Sequence, residues 1–253
     1  MWRKFAWLAA SVSVTVGFIV VWKSITDAKL VSPVYLPSPS RTWAALTNGL
    51  QNGELARQWI GTIERMFYGW LLASFVGVAA GAFIGVSQRA RQYLQPTLEF
   101  MRPLPASAIF PLAISLLGLT DGMILTVIAF GALWPMLLAT VQGFAAVEPR
   151  LYEVSRVLRL SRTAFVFKIA LPSSLPDICA GMRLGVTIAL ILAVVGEMLS
   201  SRDGLGSSIL YAARGFQADV MFAGVILLGV TGYLSSALLS FCETRLIGWR
   251  SVR

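Results

Sequence analysis

The chain has no histidine, which removes the commonest proton shuttle and the commonest metal ligand. Its two cysteines, Cys179 and Cys242, lie beside or inside apolar runs, where a cysteine usually acts as a small buried side chain. No lysine follows a glycine, so the chain lacks the Gly-x(4)-Gly-Lys-Ser/Thr loop that cradles nucleotide phosphates. We therefore predict no catalytic site, no metal site and no bound cofactor in this chain.

Charged residues are also scarce. They make up 13% of the 253 residues, against about 25% in soluble proteins, while 57% of the residues are hydrophobic. The apolar residues fall into long uncharged runs, which predicts one all-α membrane domain covering 1–253. The net charge of +9 comes from basic residues between these runs. Because they form no basic face with interleaved aromatics, nucleic acid is not an expected partner.

Six runs are long enough to cross a hydrocarbon core of about 30 Å, which needs about 17–25 helical residues. The first of them resembles a signal peptide, but it exceeds the usual apolar length and no cleavage site follows it. We therefore predict about six transmembrane helices, with core spans inside 59–146 and 178–245. The six runs are 5–22, 66–88, 103–120, 122–147, 184–201 and 220–242.

The basic residues predict the orientation of these spans. Twelve lysines and arginines fall on the side of the N-terminus and six on the opposite side. By the positive-inside rule, both termini and the loop 147–177 are cytoplasmic, and the segment 23–58 is external. Within that external segment, 41–50 is predicted to be a short amphipathic helix.

Small residues recur every four positions in the second span, at Ala73, Gly77, Gly81 and Gly85. This spacing places them on one helix face and predicts a packing seam, although small residues are also generally common in membrane helices. In the third span, prolines lie near the start and predict an irregular or kinked helix. Such a helix fits either the lining of a path or a plain structural kink. The prolines are Pro103, Pro105 and Pro111.

Two ionisable residues are candidates for a translocation path. Glu197 interrupts the fifth span, and a charge inside a span usually faces the interior of the bundle. Alternatively, Glu197 lies near the external end of its helix and snorkels to water or pairs with Arg202. Arg102 lies near the cytoplasmic edge of the third span, where an interface anchor is the alternative.

The cytoplasmic loop 147–177 has its own helical pattern. Leu151, Val154 and Leu158 recur at helical spacing, and a second short helix is predicted to begin at Ser161 and to stop at Pro172. Two short helices across a membrane face could dock a partner. They could also form an amphipathic hairpin on lipid head groups.

One motif in this loop resembles the EAA motif of permease subunits of binding-protein-dependent ABC importers, E-A-A-x(3)-G-x(9)-I-x-L-P. The spacing matches residue for residue, with Val154 and Ser155 in place of the alanines. Arg159 replaces the glycine that lets the chain turn between the two short helices. The matching positions are Glu153, Val154, Ser155, Arg159, Ile169, Leu171 and Pro172.

Further segments resemble the branch of these permeases that handles nitrate, sulfonates and taurine. The resemblance extends over most of the chain from Tyr35 onward. These segments are Leu36-Pro-Ser-Pro, Arg102-Pro-Leu-Pro, Phe110-Pro-Leu-Ala, Gly196-Glu-Met-Leu and Asp203-Gly-Leu-Gly.

The resemblance implies a bacterial inner-membrane permease, two copies of which form a path for a small anionic solute. A separate cytosolic ATPase dimer would bind ATP and Mg²⁺, and the loop would form coupling helices against it. Glu153 would then make the polar contact, while Leu158, Ile169 and Leu171 brace the helices. An external binding protein would dock over 23–58 and 202–219, and membrane lipid would surround the spans.

Two other functional classes fit less well. A secondary transporter driven by an ion gradient usually shows internal repeats or several intramembrane acids, and this sequence has neither. An enzyme acting on lipid needs a nucleophile with a base, or a metal cluster, and the absence of histidine makes both scarce.

Overall fold

The structure, a computed structural model, describes residues 2–101 and 103–247. All regular elements in these ranges are helical, which confirms the predicted all-α class. The α-helices are α1 (Trp2–Asp27), α2 (Pro39–Gln51), α3 (Glu54–Val86), α4 (Gln88–Met101), α5 (Phe110–Leu117), α6 (Asp121–Ala145), α7 (Pro149–Val157), α8 (Arg162–Phe165), α9 (Leu171–Ser200), α10 (Leu205–Arg214) and α11 (Ala218–Leu246). A 3₁₀ helix (Ala106–Ile109) precedes α5, and a π-helix (Val166–Ala170) joins α8 to α9.

The chain divides into two compact units. The first unit contains the chain up to Gly61 together with Asp203–Gly229. Its apolar core is formed by buried leucines and an alanine from α2, α3, α10 and α11. These are Leu46, Leu55, Leu205, Ala223 and Leu227.

Helix α2 is the predicted amphipathic helix of the external segment. Ser38 caps it, because its hydroxyl accepts a hydrogen bond from the Arg41 amide, and Pro39 occupies the first helical position. The Trp22 indole donates to the Pro37 carbonyl at 3.0 Å, so the end of α1 is fixed to the entry of α2. Residues 10–21 of α1 are exposed, as expected for a helix that faces lipid.

The second unit contains Thr62–Arg202 and the chain from Val230 onward. Its largest core cluster combines residues of α3, α5, α6 and α9. Phe110, Met123, Ile124 and Ile128 in this cluster have no or almost no exposed surface. These residues close one end of the helix bundle.

In the second unit α3 and α6 run parallel to each other, and α9 runs antiparallel to α6. Gly69 of α3 lies against Ile128 of α6, and further along both helices Gly85 lies against Phe144. Since Arg65 pairs with Asp121 at one end, the chain must return across about 30 Å between α3 and α6. The segment from α4 to α5 makes that return.

Five helices are long and apolar enough to cross a membrane, and the bent pair formed by α4 and the helical segment Ala106–Leu117 gives a sixth passage. This confirms the predicted number of about six spans. The predicted third span at 103–120 is wrong as a single helix, because only twelve of its residues, Ala106–Leu117, are helical and these make an angle of 79° with α4. Such a segment is about 18 Å long, which is too short to cross alone.

Several helix boundaries also differ from the sequence prediction. Helix α3 begins at Glu54 rather than at Met66, because Leu55 and Trp59 pack into the core of the first unit. Helix α9 begins at Leu171, inside the predicted coupling loop. Helices α4 and α10 were not predicted, because each is too polar or too short to resemble a span.

Candidate coupling site and transmembrane cavity

The coupling motif folds into two short helices that meet at a tight turn. Helix α7 ends with Leu158 as its C-cap, and Arg159 adopts a left-handed backbone with φ of 47°. The Arg159 amide donates to the Arg156 carbonyl at 3.0 Å, and the Leu160 amide donates to the Ser155 carbonyl at 2.9 Å. This pair of bonds is a Schellman motif, which normally places glycine at the left-handed position. The turn therefore forms with Arg159 in place of the glycine.

The second short helix begins where the sequence predicts. The Ser161 hydroxyl accepts a hydrogen bond from the Ala164 amide at 3.2 Å and caps α8. The prediction that Pro172 stops this helix is wrong, since α8 continues through the π-helix into α9. The Leu171 amide bonds the Val166 carbonyl five residues earlier, and this wider turn makes room for the Pro172 ring, which clashes with a normal α-helix.

The inner face of the two short helices packs on the bundle. Tyr152 of α7 stacks on Phe165 of α8 with ring centroids 4.6 Å apart. Both rings pack with Leu151, Ile169 and Leu171 against a core that includes Phe144 and Ala170. Ser155 is also buried, and its hydroxyl donates to the Tyr152 carbonyl at 2.7 Å.

The outer face of the coupling helices is exposed and carries both apolar and basic side chains. Its exposed apolar residues are Val154, Val157, Leu158 and Phe167, and its exposed charged residues are Glu153, Arg156, Arg159, Arg162 and Lys168. Leu158 is 62% exposed and does not join the packed cluster that contains Ile169 and Leu171, so its bracing role stays a prediction. Tyr152 holds the two short helices together. Within α7 and α8 this exposed surface carries one carboxylate, Glu153, among apolar and basic side chains.

The stripe of small residues in α3 lies against α6. A Cβ added to Gly81 would lie 2.6 Å from Thr140 Cβ, and one added to Gly85 would lie 2.6 Å from Phe144 Cβ. Gly77 approaches the Leu133 carbonyl in the same way. Ala73 is buried in the main core cluster. These distances leave no room for larger side chains along the face.

Glu197 lies in a buried cluster of charged residues. It has no exposed surface, and its carboxylate accepts hydrogen bonds from Thr62 and Arg65, both at 3.0 Å. Arg65 also binds Asp121 at 2.8 Å, while Arg202 lies 3.9 Å from Asp121. The structure thus places Arg65, which the sequence prediction did not name, as an ion-pair partner of Glu197. Arg102, the other path candidate, lies outside the described residues.

A cavity of about 730 Å³ lies between α4, the 3₁₀ helix, α6 and α9. Its volume is in the usual range for small-molecule sites. Its wall is mostly apolar and includes Leu138, Leu184, Ile188 and Ile191. Polar side chains line it along α4 and at the end of α6, namely Arg91, Gln95, Glu99 and Gln142. Sequence reasoning missed this site because α4 was not predicted as a helix.

Known proteins share this arrangement. A chain of the MetNI methionine ABC transporter, solved in inward-facing conformations, matches with a TM-score of 0.66 and 19% identity, covering 78% of this chain and 96% of that chain. Residues 73–248 match the model of the family described as the binding-protein-dependent transport system inner membrane component. The chain belongs to this family of ABC importer permeases.

Relatives in the family include three named permeases. SsuC of Bacillus subtilis (strain 168), named for transport of aliphatic sulfonates, is 32% identical over 98% of this permease and 90% of its own length. TauC of Escherichia coli (strain K12), a taurine transport system permease protein, is 25% identical over 97% and 93%. NrtB of Leptolyngbya laminosa, a nitrate import permease protein, is 25% identical over 94% and 88%. These matches place the permease in the predicted sulfonate, nitrate and taurine branch and give no support to an ion-gradient-driven transporter.

Proposed function

We propose that this permease carries a small anionic solute across the bacterial inner membrane, powered by a separate cytosolic ATPase that binds ATP and Mg²⁺. An external binding protein delivers the solute, and two copies of the permease form the path. The family membership, together with the sulfonate, taurine and nitrate permeases among the relatives, supports this assignment.

The observation that carries the proposal is the open face of the coupling helices. Val154, Val157 and Phe167 expose apolar surface there, although Tyr152 and Phe165 anchor the same helices firmly. A rigid element whose exposed face combines apolar side chains, basic residues and one carboxylate, Glu153, is suited to dock into a protein groove.

Coupling follows from the connection between this element and the spans. Helix α8 runs through the π-helix into α9 without a break. A displacement of α8 by the ATPase would therefore move α9, the fifth span, with it. Closure of the ATPase dimer would rock the helices between inward-open and outward-open forms. In the proposed orientation, both termini and the coupling helices are cytoplasmic. This agrees with the excess of lysine and arginine on that side of the membrane.

The test is the exchange of Glu153 for lysine. We expect Glu153→Lys to abolish co-purification with the ATPase, or ATP-driven uptake in vesicles, while membrane insertion is retained. Glu148→Lys is the matched control, because Glu148 is also exposed in this loop but lies outside the motif. Normal coupling in Glu153→Lys, or equal loss in both variants, would contradict the proposed contact.

A further inference from the structure

The cavity between α4, α6 and α9 combines a few charged and polar side chains with an apolar wall. Its described lining contains a single cation, Arg91, and a single carboxylate, Glu99. The remaining polar side chains are the amides of Gln95 and Gln142, the Ser107 hydroxyl and the Trp134 indole, and the rest of the lining is apolar.

Helix α4 presents its polar face to this cavity. Arg91, Gln95 and Glu99 lie four residues apart and therefore share one face of the helix. The Gln95 amide donates to the Glu99 carboxylate at 2.8 Å. The Arg91 guanidinium donates one hydrogen bond to the Gly85 carbonyl, which holds the guanidinium near the end of α3.

Arg91 retains capacity for an anion. A guanidinium carries five N–H donors in a planar fork, and among the described residues no carboxylate lies within ion-pairing distance of Arg91. Gln142 lines the same part of the cavity from α6. An anionic group placed there would meet one positive charge and neutral amide donors.

The apolar wall fixes the other end of the ligand. Leu184, Ile188, Ile191 and Leu192 follow one face of α9, and Leu138 faces them from α6. These side chains offer a hydrocarbon chain the burial that a bare inorganic anion cannot use. Glu99 lies about 12 Å along α4 from Arg91 and would repel a second negative charge.

We propose that this cavity is a transit site for an organic monoanion with an apolar chain of several carbons, with Arg91 as the residue that binds the anionic group. The inference rests on the proposed transport function and narrows its substrate class. The site favours organic monoanions over nitrate, because nitrate has no hydrocarbon chain to pack on the apolar wall. It also favours them over dianions, because Glu99 would repel the second negative charge.

The test uses the complex of permease and ATPase in phosphatidylcholine nanodiscs, with hexanesulfonate as the probe because it stays ionised at all working pH values. Calorimetry should detect binding, and Arg91→Gln should weaken it by about tenfold or more, since a hydrogen bond to a charge contributes about 1.5–3 kcal/mol. Arg89→Gln is the matched control, because Arg89 lies on the same helix but does not line the cavity. It should bind as wild type does.

Competition experiments define the ligand class. Nitrate should compete about tenfold less well than hexanesulfonate, and a hexane disulfonate with one sulfonate at each end should also bind more weakly until Glu99→Gln restores it. Absence of wild-type binding, unchanged binding in Arg91→Gln, or equal affinity for nitrate would overturn the proposal.

Two controls separate this proposal from its rivals. Binding that disappears when one third of the lipid is phosphatidylglycerol would assign the cavity to a lipid and overturn a transit site. Co-purification of Arg91→Gln with the ATPase reports on the coupling function independently. Loss of that complex would count against the proposed function, whereas weaker binding in an intact complex supports the transit site.

Discussion

Arg65 and Glu197 form an ion pair inside the helix bundle, with Arg65 Nη1 at 3.0 Å from Glu197 Oε1 and no exposed surface on Glu197. The pair joins α3 to α9, and Arg65 extends the connection to Asp121 at the start of α6. Three helices of the second unit are thus tied together at the end opposite the coupling helices.

Removal of the charge on Glu197 should destabilise the protein strongly. Glu197→Gln removes the buried carboxylate that pairs with the mostly buried guanidinium of Arg65, while the pair with the more exposed Asp121 remains. Breaking a buried ion pair on one side costs about 3–5 kcal/mol. We expect a loss in this range in unfolding titrations of the purified protein in mild detergent.

The matched control is Glu64→Gln on the same helix. Glu64 is exposed, and surface substitutions usually change stability by less than about 0.5 kcal/mol. A Glu197→Gln protein as stable as the Glu64→Gln protein would show that the buried pair contributes nothing to the fold.

The sequence predicts where the spans lie better than it predicts which residues pair between them. Apolar length is a local property, so five of the six passages can be located from runs of uncharged residues. Arg65 is not a local partner of Glu197, because it lies 132 residues away in the chain, whereas Arg202, the alternative that the sequence offered, is near in sequence. The ion pair depends on the packing of α3 against α9, which periodicity does not reveal.

Polar helices inside the membrane domain are also hidden from the sequence. Helix α4 contains Arg91, Glu99 and an internal Pro96, and each of these features argues against a span. The cavity was missed for the same reason. The coupling turn shows the opposite case, since the motif spacing located it although Arg159 departs from the expected glycine.

Substitutions at Arg159 should show that the turn needs a left-handed residue. A non-glycine residue in this conformation costs about 1–2 kcal/mol, and a β-branched side chain fits it worst. Arg159→Val should therefore destabilise the coupling helices and reduce ATP-driven uptake. Arg159→Gly should keep uptake and change stability by less than about 1 kcal/mol, because the relieved strain is offset by the flexibility of unfolded glycine.

Both variants remove the same positive charge, so each is the control for the other. Equal uptake and equal unfolding free energies in Arg159→Val and Arg159→Gly would show that backbone conformation at this position is unimportant. A loss in both would indicate that the arginine side chain itself contacts the partner.

The packing of α3 on α6 predicts a sharp difference between glycines. Gly81→Ala would place a methyl group 2.6 Å from Thr140 Cβ and 2.8 Å from the Leu137 carbonyl, so α3 and α6 must separate. Overpacking of this kind costs about 1–3 kcal/mol.

Gly229→Ala in α11 is the matched control, because nothing lies within 4 Å of the added Cβ and alanine is the better helix former. We expect unfolding titrations to show a loss for Gly81→Ala and no loss for Gly229→Ala. A Gly81→Ala protein as stable as wild type would mean that the two helices do not approach as closely as their backbones indicate.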